Sequence, residues 1–291
     1  MKLRQKSDAG VVFGLLGLWA IGSLAVCGVL GLFPERFGHS LGVSLAFLAL
    51  TLWALVLVTE QCVLRVAVPE VSTGTRWGVL AIGCGVTVVS WLAVRFGLPL
   101  RGLWEGTITC GQILIVGVGA GSLSRLVKHP AELWPLVSVM VCADAVSFLA
   151  GPTHFIANDV AAYYLAGREG LYPISEMLLM KFPIPGSFDL YPLFGMADWF
   201  MVIFLGGASR FFHIDDRVMG IPLAVLGLFL ASASARIFQV FIPALPVLAI
   251  FYLTGMVLRH RSVFRPGRRE VLLFLFPLVA SLALFLLMGE P

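Results

Sequence analysis

The chain has 291 residues, of which 59% are hydrophobic and 12% are charged. A typical soluble domain has roughly a quarter charged residues, and a mean hydropathy of +0.97 would force such a domain to expose wide apolar surfaces to water. The net charge of +4 comes from basic residues scattered between apolar runs. The composition therefore excludes soluble, disordered, coiled-coil and nucleic-acid-binding proteins and predicts a membrane protein embedded in the lipid bilayer.

Apolar stretches long enough to cross a bilayer recur along the whole chain. A crossing helix needs about 18 or more residues, each adding roughly 1.5 Å, and nine stretches have that length. We therefore predict an all-α fold, a polytopic bundle of about nine transmembrane helices. Their approximate limits are 11–33, 41–59, 77–94, 106–124, 131–150, 192–212, 219–236, 240–258 and 270–288.

Lysine and arginine are distributed unequally between the two sides of these predicted helices. Fourteen basic residues fall on the side of the N-terminus and six on the other side. Because loops rich in lysine and arginine stay in the cytoplasm, we expect a cytoplasmic N-terminus, an outer C-terminus and an outer loop over 151–191. This loop is long for a bundle connection, and its aromatic residues and prolines are typical of a membrane-surface segment that covers the outer face or gates access to a site.

Two acidic residues, Asp144 and Asp198, fall inside predicted spans, whereas the other fourteen fall in loops or near span ends. An ionised side chain inside a membrane helix is costly unless it meets water or a partner. If both spans are regular helices, each aspartate lies roughly 9 Å below the outer boundary. Two carboxyl groups in contact would share a proton, as in aspartic proteases. The same acids also fit a proton relay in a transporter or hydrogen bonds between helices.

Two prolines interrupt the eighth predicted span at the same depth, in Pro243-Ala244-Leu245-Pro246. Prolines at these positions prevent regular helix and free backbone groups inside the protein. An extended peptide can pair with such freed backbone. Prolines also kink many membrane helices, so this feature alone does not decide between a peptide-binding site and a bend.

Together these residues resemble the motifs of the presenilin and signal peptide peptidase family of intramembrane aspartyl proteases. That family has an aspartate preceded by tyrosine in one span, Gly-x-Gly-Asp in the next and Pro-Ala-Leu two spans later. The corresponding residues here are Ala143-Asp144, Gly195-Met196-Ala197-Asp198 and Pro243-Ala244-Leu245. The resemblance covers roughly residues 131–258, and it departs from the family at Ala143 and at Ala197, which replaces the second glycine.

The resemblance implies a presenilin-like fold and an intramembrane aspartic endopeptidase that cleaves transmembrane peptides or proteins without a metal or organic cofactor. The implied catalytic pair is Asp144 and Asp198. The implied substrate-binding residues are Gly195, Met196, Ala197, Pro243, Ala244 and Leu245. A proton-coupled transporter and a catalytically inactive presenilin-like protein remain as alternatives.

These interpretations divide the chain into three consecutive segments. Residues 1–130 form N-terminal membrane helices, residues 131–258 form the catalytic-type helices with the outer loop, and residues 259–291 form a basic loop and a last span. The five histidines fall in or beside predicted loops, and no histidine and cysteine cluster has the spacing of metal ligands. The short loops suggest a prokaryotic cytoplasmic membrane.

Overall fold

A computed structural model describes residues 9–32, 40–66, 71–184, 189–212, 221–238, 243–261 and 264–288. These residues form ten α-helices and one antiparallel pair of strands. The helices are α1 (Ala9–Gly31), α2 (Leu41–Val66), α3 (Thr73–Arg95), α4 (Arg101–Leu123), α5 (Leu133–Ala150), α6 (Pro152–Leu165), α7 (Met196–Phe211), α8 (Ile221–Phe238), α9 (Ala244–Arg259) and α10 (Arg268–Met288). The strands are β1 (Leu179–Pro183) and β2 (Leu190–Gly195).

The prediction of a mostly helical fold is confirmed, and the length and composition of four helices are compatible with a membrane protein. Four apolar helical stretches are long enough to cross a bilayer, and they are Val12–Gly31, Leu41–Gln61, Thr73–Arg95 and Arg101–Leu126. Helices α7 and α9 have 16 residues each, or about 24 Å, which is less than the roughly 30 Å of a hydrocarbon core. In the described residues, length and composition therefore support four crossings, and nine crossings stay a prediction.

The segment 151–191 and the start of the sixth predicted span are folded differently from the prediction. Helix α6, a 3-10 turn over Ile174–Leu178 and strand β1 occupy the expected surface loop. Strand β2 then takes up the residues before Met196, so α7 begins later than the predicted limit of 192. Pro192 lacks the N–H that a helix interior requires, and in β2 it pairs in register with Lys181.

The chain divides into two compact units, and each is built from two segments. Unit 1 contains Met1–Ser122 and Ala166–Phe200, and unit 2 contains Leu123–Leu165 and Met201–Pro291. This division differs from the three consecutive segments that the sequence suggested. The physical reason is packing between residues distant in the chain, because β1 packs against α1 and α10 packs against α5.

Helix α4 is the most enclosed of the four candidate crossings. In its apolar stretch 72% of the residues are buried, compared with 17% in that of α2. Its close neighbour is α3, because a Cβ atom at Gly111 would lie 2.7 Å from the Gly83 carbonyl oxygen and would collide with the Thr87 hydroxyl. On its other side the Cys110 thiol donates to the Leu16 carbonyl of α1 at 3.2 Å.

Unit 2 is held by equally close helix contacts. A Cβ atom at Gly227 of α8 would lie 2.5 Å from the Leu248 Cα of α9. The buried hydroxyl groups of Ser209 and Tyr252 are 2.6 Å apart and join α7 to α9. The Trp134 indole donates to the Phe264 carbonyl at 3.0 Å, which fixes the start of α5.

The Gly111→Ala substitution is expected to destabilise the protein by about 1–3 kcal/mol, because the added methyl group meets backbone that cannot move aside. The control is Gly85→Ala on α3, where nothing lies within 4 Å of the added Cβ. Thermal unfolding in detergent measures both. Equal midpoints for the two variants would contradict the close approach of α3 and α4.

Candidate functional site

Asp144 lies in α5 and contacts the first turn of α9. The backbone N–H of Leu245 hydrogen-bonds the Asp144 carboxyl group. The carboxyl oxygen Oδ2 is buried and has no donor among the described residues. One predicted catalytic residue and one residue of the predicted Pro-Ala-Leu motif, distant in the sequence, are therefore in contact in unit 2.

The Pro-Ala-Leu motif is the start of α9. Pro243 is the N-cap residue, and Ala244 and Leu245 are the first two helical residues. The first N–H groups of a helix have no acceptor inside the helix, so the Leu245 N–H is available to a neighbouring carboxylate. Pro246 lies inside this first turn, where proline is tolerated, so the prediction that the two prolines prevent regular helix is wrong. The Leu245 N–H is nevertheless a free backbone donor beside Asp144.

Asp198 lies in the first turn of α7, which corrects its predicted place in the interior of a helix. Its Oδ2 atom accepts a hydrogen bond from the Gly195 N–H at 2.9 Å. An acidic residue three positions after the N-cap residue satisfies a free backbone donor and interacts favourably with the helix dipole. A Cβ atom at Gly195 would lie 3.3 Å from this oxygen, so the glycine allows the aspartate to approach closely.

The other two predicted residues of this motif differ in exposure. Met196 is half-buried at the first helical position, whereas Ala197 is exposed. In the helix that follows, the Trp199 indole donates to the Thr59 hydroxyl at 3.1 Å and anchors α7 to α2. Residues Gly195 to Asp198 therefore have a defined position in unit 1.

The predicted site residues consequently fall into two groups. Asp144, Pro243, Ala244 and Leu245 belong to unit 2, whereas Gly195, Met196, Ala197 and Asp198 belong to unit 1. The structure brings Asp144 and Leu245 together. The pairing of the two aspartates stays a prediction.

A second group of charged residues, in unit 1, was missed by the sequence analysis. Glu105, Glu176 and Lys181 have fully buried side chains, and Arg168 is 9% exposed. We call these four residues the ion cluster. Glu105 lies in α4, Arg168 in the turn that follows α6, Glu176 in the 3-10 turn before β1 and Lys181 in β1. The ion cluster therefore joins the sheet to the most enclosed helix.

One carboxylate oxygen lies at the centre of the ion cluster. Glu105 Oε1 is 3.0 Å from Lys181 Nζ and 2.7 Å from an Arg168 nitrogen. Arg101, at the edge of the ion cluster, also contacts this oxygen: its Nε atom is 3.2 Å from Glu105 Oε1. Lys181 pairs in addition with Glu176. Two negative and two positive charges therefore balance inside the ion cluster, as buried charges require.

Polar side chains of α4 also hold the backbone of β1 and of the turn before it. The Thr109 hydroxyl accepts from the Lys181 N–H at 3.2 Å. The Gln112 amide donates to the carbonyls of Met177 and Leu179 at 2.8 and 3.1 Å. These bonds connect α4 to the backbone of β1 and of the 3-10 turn before it.

The sequence contained only a weak signal of this arrangement. Glu105 fell one residue outside a predicted span, and Arg168, Glu176 and Lys181 fell in the predicted outer loop. Arg101 and Glu105 are four residues apart, a spacing that forms ion pairs on helices. Three of the six basic residues assigned to the outer side, Arg101, Arg168 and Lys181, contact Glu105.

Comparison with known proteins provides no family assignment: no family model, no curated protein and no solved structure matches this chain. Among the described residues, histidine, cysteine and acidic side chains form no group of three or more that is arranged to hold a metal ion.

The Lys181→Met substitution is expected to lower the free energy of unfolding by about 3–5 kcal/mol, because it leaves Glu105 and Glu176 buried without their shared cation. The matched control is Lys128→Met, at an exposed lysine, with an expected change within about 0.5 kcal/mol. Denaturant titration in detergent measures both variants. A similar small effect in both would show that the Lys181 contacts contribute little to stability.

Proposed function

We propose that this protein is an intramembrane aspartic endopeptidase with Asp144 and Asp198 as its catalytic pair. The observation that carries the proposal is the hydrogen bond from the Leu245 N–H to the Asp144 carboxyl group. It joins two of the three sequence motifs that together resemble those of presenilin and signal peptide peptidase. If Asp144 served only to cap α9, that role would explain one of its carboxyl oxygens. The other oxygen, Oδ2, is buried without a donor among the described residues.

The proposed chemistry needs one ionised and one protonated carboxyl group. The ionised aspartate removes a proton from water, whose oxygen attacks the peptide carbonyl, while the protonated aspartate donates its proton to the carbonyl oxygen. Collapse of the resulting gem-diol breaks the C–N bond and transfers a proton to the leaving amine. Two adjacent carboxyl groups in a low dielectric share one proton, since both cannot ionise.

The proposed substrates are transmembrane segments of peptides or proteins. Within the described residues β2 pairs with β1 on one side only, and it leads directly into Gly195 and Asp198. An unpaired strand edge can bind an extended peptide through main-chain hydrogen bonds. A membrane helix must be unwound before its carbonyl groups can be attacked, because helical hydrogen bonds occupy them.

The proposal includes a location and an orientation. We place the protein in a prokaryotic cytoplasmic membrane, with the N-terminus in the cytoplasm and the C-terminus outside. The excess of arginine and lysine on the N-terminal side supports this orientation. In it, the catalytic pair opens toward the outer half of the bilayer and selects substrates whose scissile bond lies there.

Asp144→Asn and Asp198→Asn are each expected to reduce cleavage of a labelled transmembrane peptide by about 100-fold or more, which is the usual contribution of general acid–base catalysis. Asparagine retains an oxygen acceptor for the Leu245 and Gly195 N–H groups, so both variants should fold. The assay uses protein reconstituted in liposomes and follows product by mass spectrometry. Asp159→Asn, at an exposed aspartate of α6, is the matched control with unchanged cleavage.

Three other outcomes separate the alternatives. Equal cleavage by the wild type and both aspartate variants would reject the assignment. No cleavage by the wild type would favour an inactive presenilin-like protein. Solute uptake that follows a proton gradient and is lost in both variants would favour a transporter.

Leu245→Pro is expected to reduce cleavage at least about tenfold relative to Leu245→Ala. Both variants remove the buried side chain, but only proline also removes the N–H that binds Asp144, and a hydrogen bond to a charged group contributes about 1.5–3 kcal/mol. Proline is tolerated in the first turn of a helix, so α9 should form in both. Equal rates would mean that the Leu245 N–H has no part in catalysis.

A further inference from the structure

Asp198 is hydrogen-bonded to the end of a short strand, β2, so its position depends on what holds that strand in place. Asp198 is bonded to Gly195, the last residue of β2, and Gly195 pairs in register with Leu179 of β1. The strands are five and six residues long. A two-stranded hairpin of this size is only marginally stable by itself, so other contacts must fix the strand that leads to Asp198.

Strand β1 is buried on both faces, which an isolated hairpin would not be. Its residues from Met180 to Pro183 are all buried, and the register with β2 shifts between Met180 and Lys181. A register shift of this kind redirects side chains from the regular alternation. The Lys181 side chain is thereby enclosed with both of its carboxylate partners.

Three kinds of contact connect this strand to the helices of unit 1. Lys181 is ion-paired with Glu105 of α4 and hydrogen-bonded through its backbone N–H to Thr109, one helical turn further on. The aromatic rings of Phe182, Phe194 and Trp199 follow one another at 5.3 and 6.0 Å, from β1 through β2 into α7. A shift of β1 would therefore be transmitted to the first turn of α7.

The Glu105 carboxylate also holds the start of β2, through Arg168. Arg168 contacts Glu105 at 2.7 Å and Asp189, next to the start of β2, at 2.9 Å. Lys181 near the middle of β1 and Asp189 beside β2 are thus both tied to Glu105. Charge pairs enclosed in a low dielectric are stiff, because displacement of one partner leaves the other buried and uncompensated.

We propose that Lys181, held by Glu105 and Glu176, is a positioning residue for catalysis: it fixes the β1–β2 hairpin and thereby places the Asp198 carboxyl group for proton transfer during attack of water on the peptide. This inference rests on the proposed protease function. Lys181 acts through the strand pair and through Gly195, and it takes no part in proton transfer. Its loss lowers the rate of the chemical step more than it weakens substrate binding.

The test compares Lys181→Met, Lys181→Arg and a control, Arg95→Met, in the full-length protein in liposomes. Arg95 also binds this part of the chain, through the Tyr172 carbonyl at 3.2 Å, but it contacts neither strand in the described residues. Two quantities are measured: kcat and KM for a labelled transmembrane peptide, and hydrogen–deuterium exchange of the amides in 190–198 and in α9. Exchange in α9 reports whether unit 2 stays folded.

For Lys181→Met we expect kcat to fall at least about tenfold, KM to stay within about twofold, and exchange in 190–198 to rise at least about tenfold without a change in α9. Lys181→Arg preserves the charge and should retain kcat within about threefold. Arg95→Met should resemble the wild type. If Lys181→Met loses protection from exchange in α9 as well as in 190–198, the variant Glu105→Gln is tested in its place. Glutamine keeps an oxygen acceptor for Lys181 and Arg168.

Three results would overturn the positioning role. The first is unchanged exchange in 190–198 when Lys181 is replaced, and the second is increased exchange with an unchanged kcat. An equal loss of kcat in Lys181→Arg and Lys181→Met would also reject it, since the charge would then be irrelevant. Absence of cleavage by the wild type would reject the protease function, whereas the exchange measurement would still decide whether Lys181 fixes the hairpin.

Discussion

A carboxylate withdrawn from water needs a partner inside the protein, and both regions of functional interest are built around this requirement. In unit 1, Glu105 Oε1 forms ion pairs with Lys181, Arg168 and Arg101. In unit 2, the Asp144 carboxyl group accepts a hydrogen bond from the Leu245 N–H. The two regions differ in charge. The four charges of the ion cluster balance one another, whereas Asp144 has no ion pair among the described residues and only a backbone donor beside it. Balanced charge suits a structural role, and a carboxyl group without a basic partner suits proton transfer.

The two candidate catalytic residues share one local design. Each is bonded to a backbone N–H at the start of a helix, Asp144 to Leu245 of α9 and Asp198 to Gly195 before α7. Helix N-termini stabilise negative charge, and in an apolar environment they are among the few groups that can do so without a basic side chain.

The ion cluster changes how the basic residues of the outer side are interpreted. A count of lysine and arginine treats each one as a loop charge that reports orientation. Lys181 and Arg168 are instead enclosed partners of Glu105, so their place in the sequence is explained by pairing. The bias toward the N-terminal side remains, because the residues counted there are separate from the ion cluster.

The apolar, mostly helical character of the chain and the choice of Asp144 and Leu245 as candidate residues followed from the sequence by itself, because hydropathy and short motifs are local properties. Only the tertiary structure decided that residues 190–195 form a strand, since a short apolar run is compatible with either strand or helix until a pairing partner is present. Only it revealed the ion cluster, because Glu105 and Lys181 are 76 residues apart. Charge pairing over such a separation depends on packing, which no local pattern encodes.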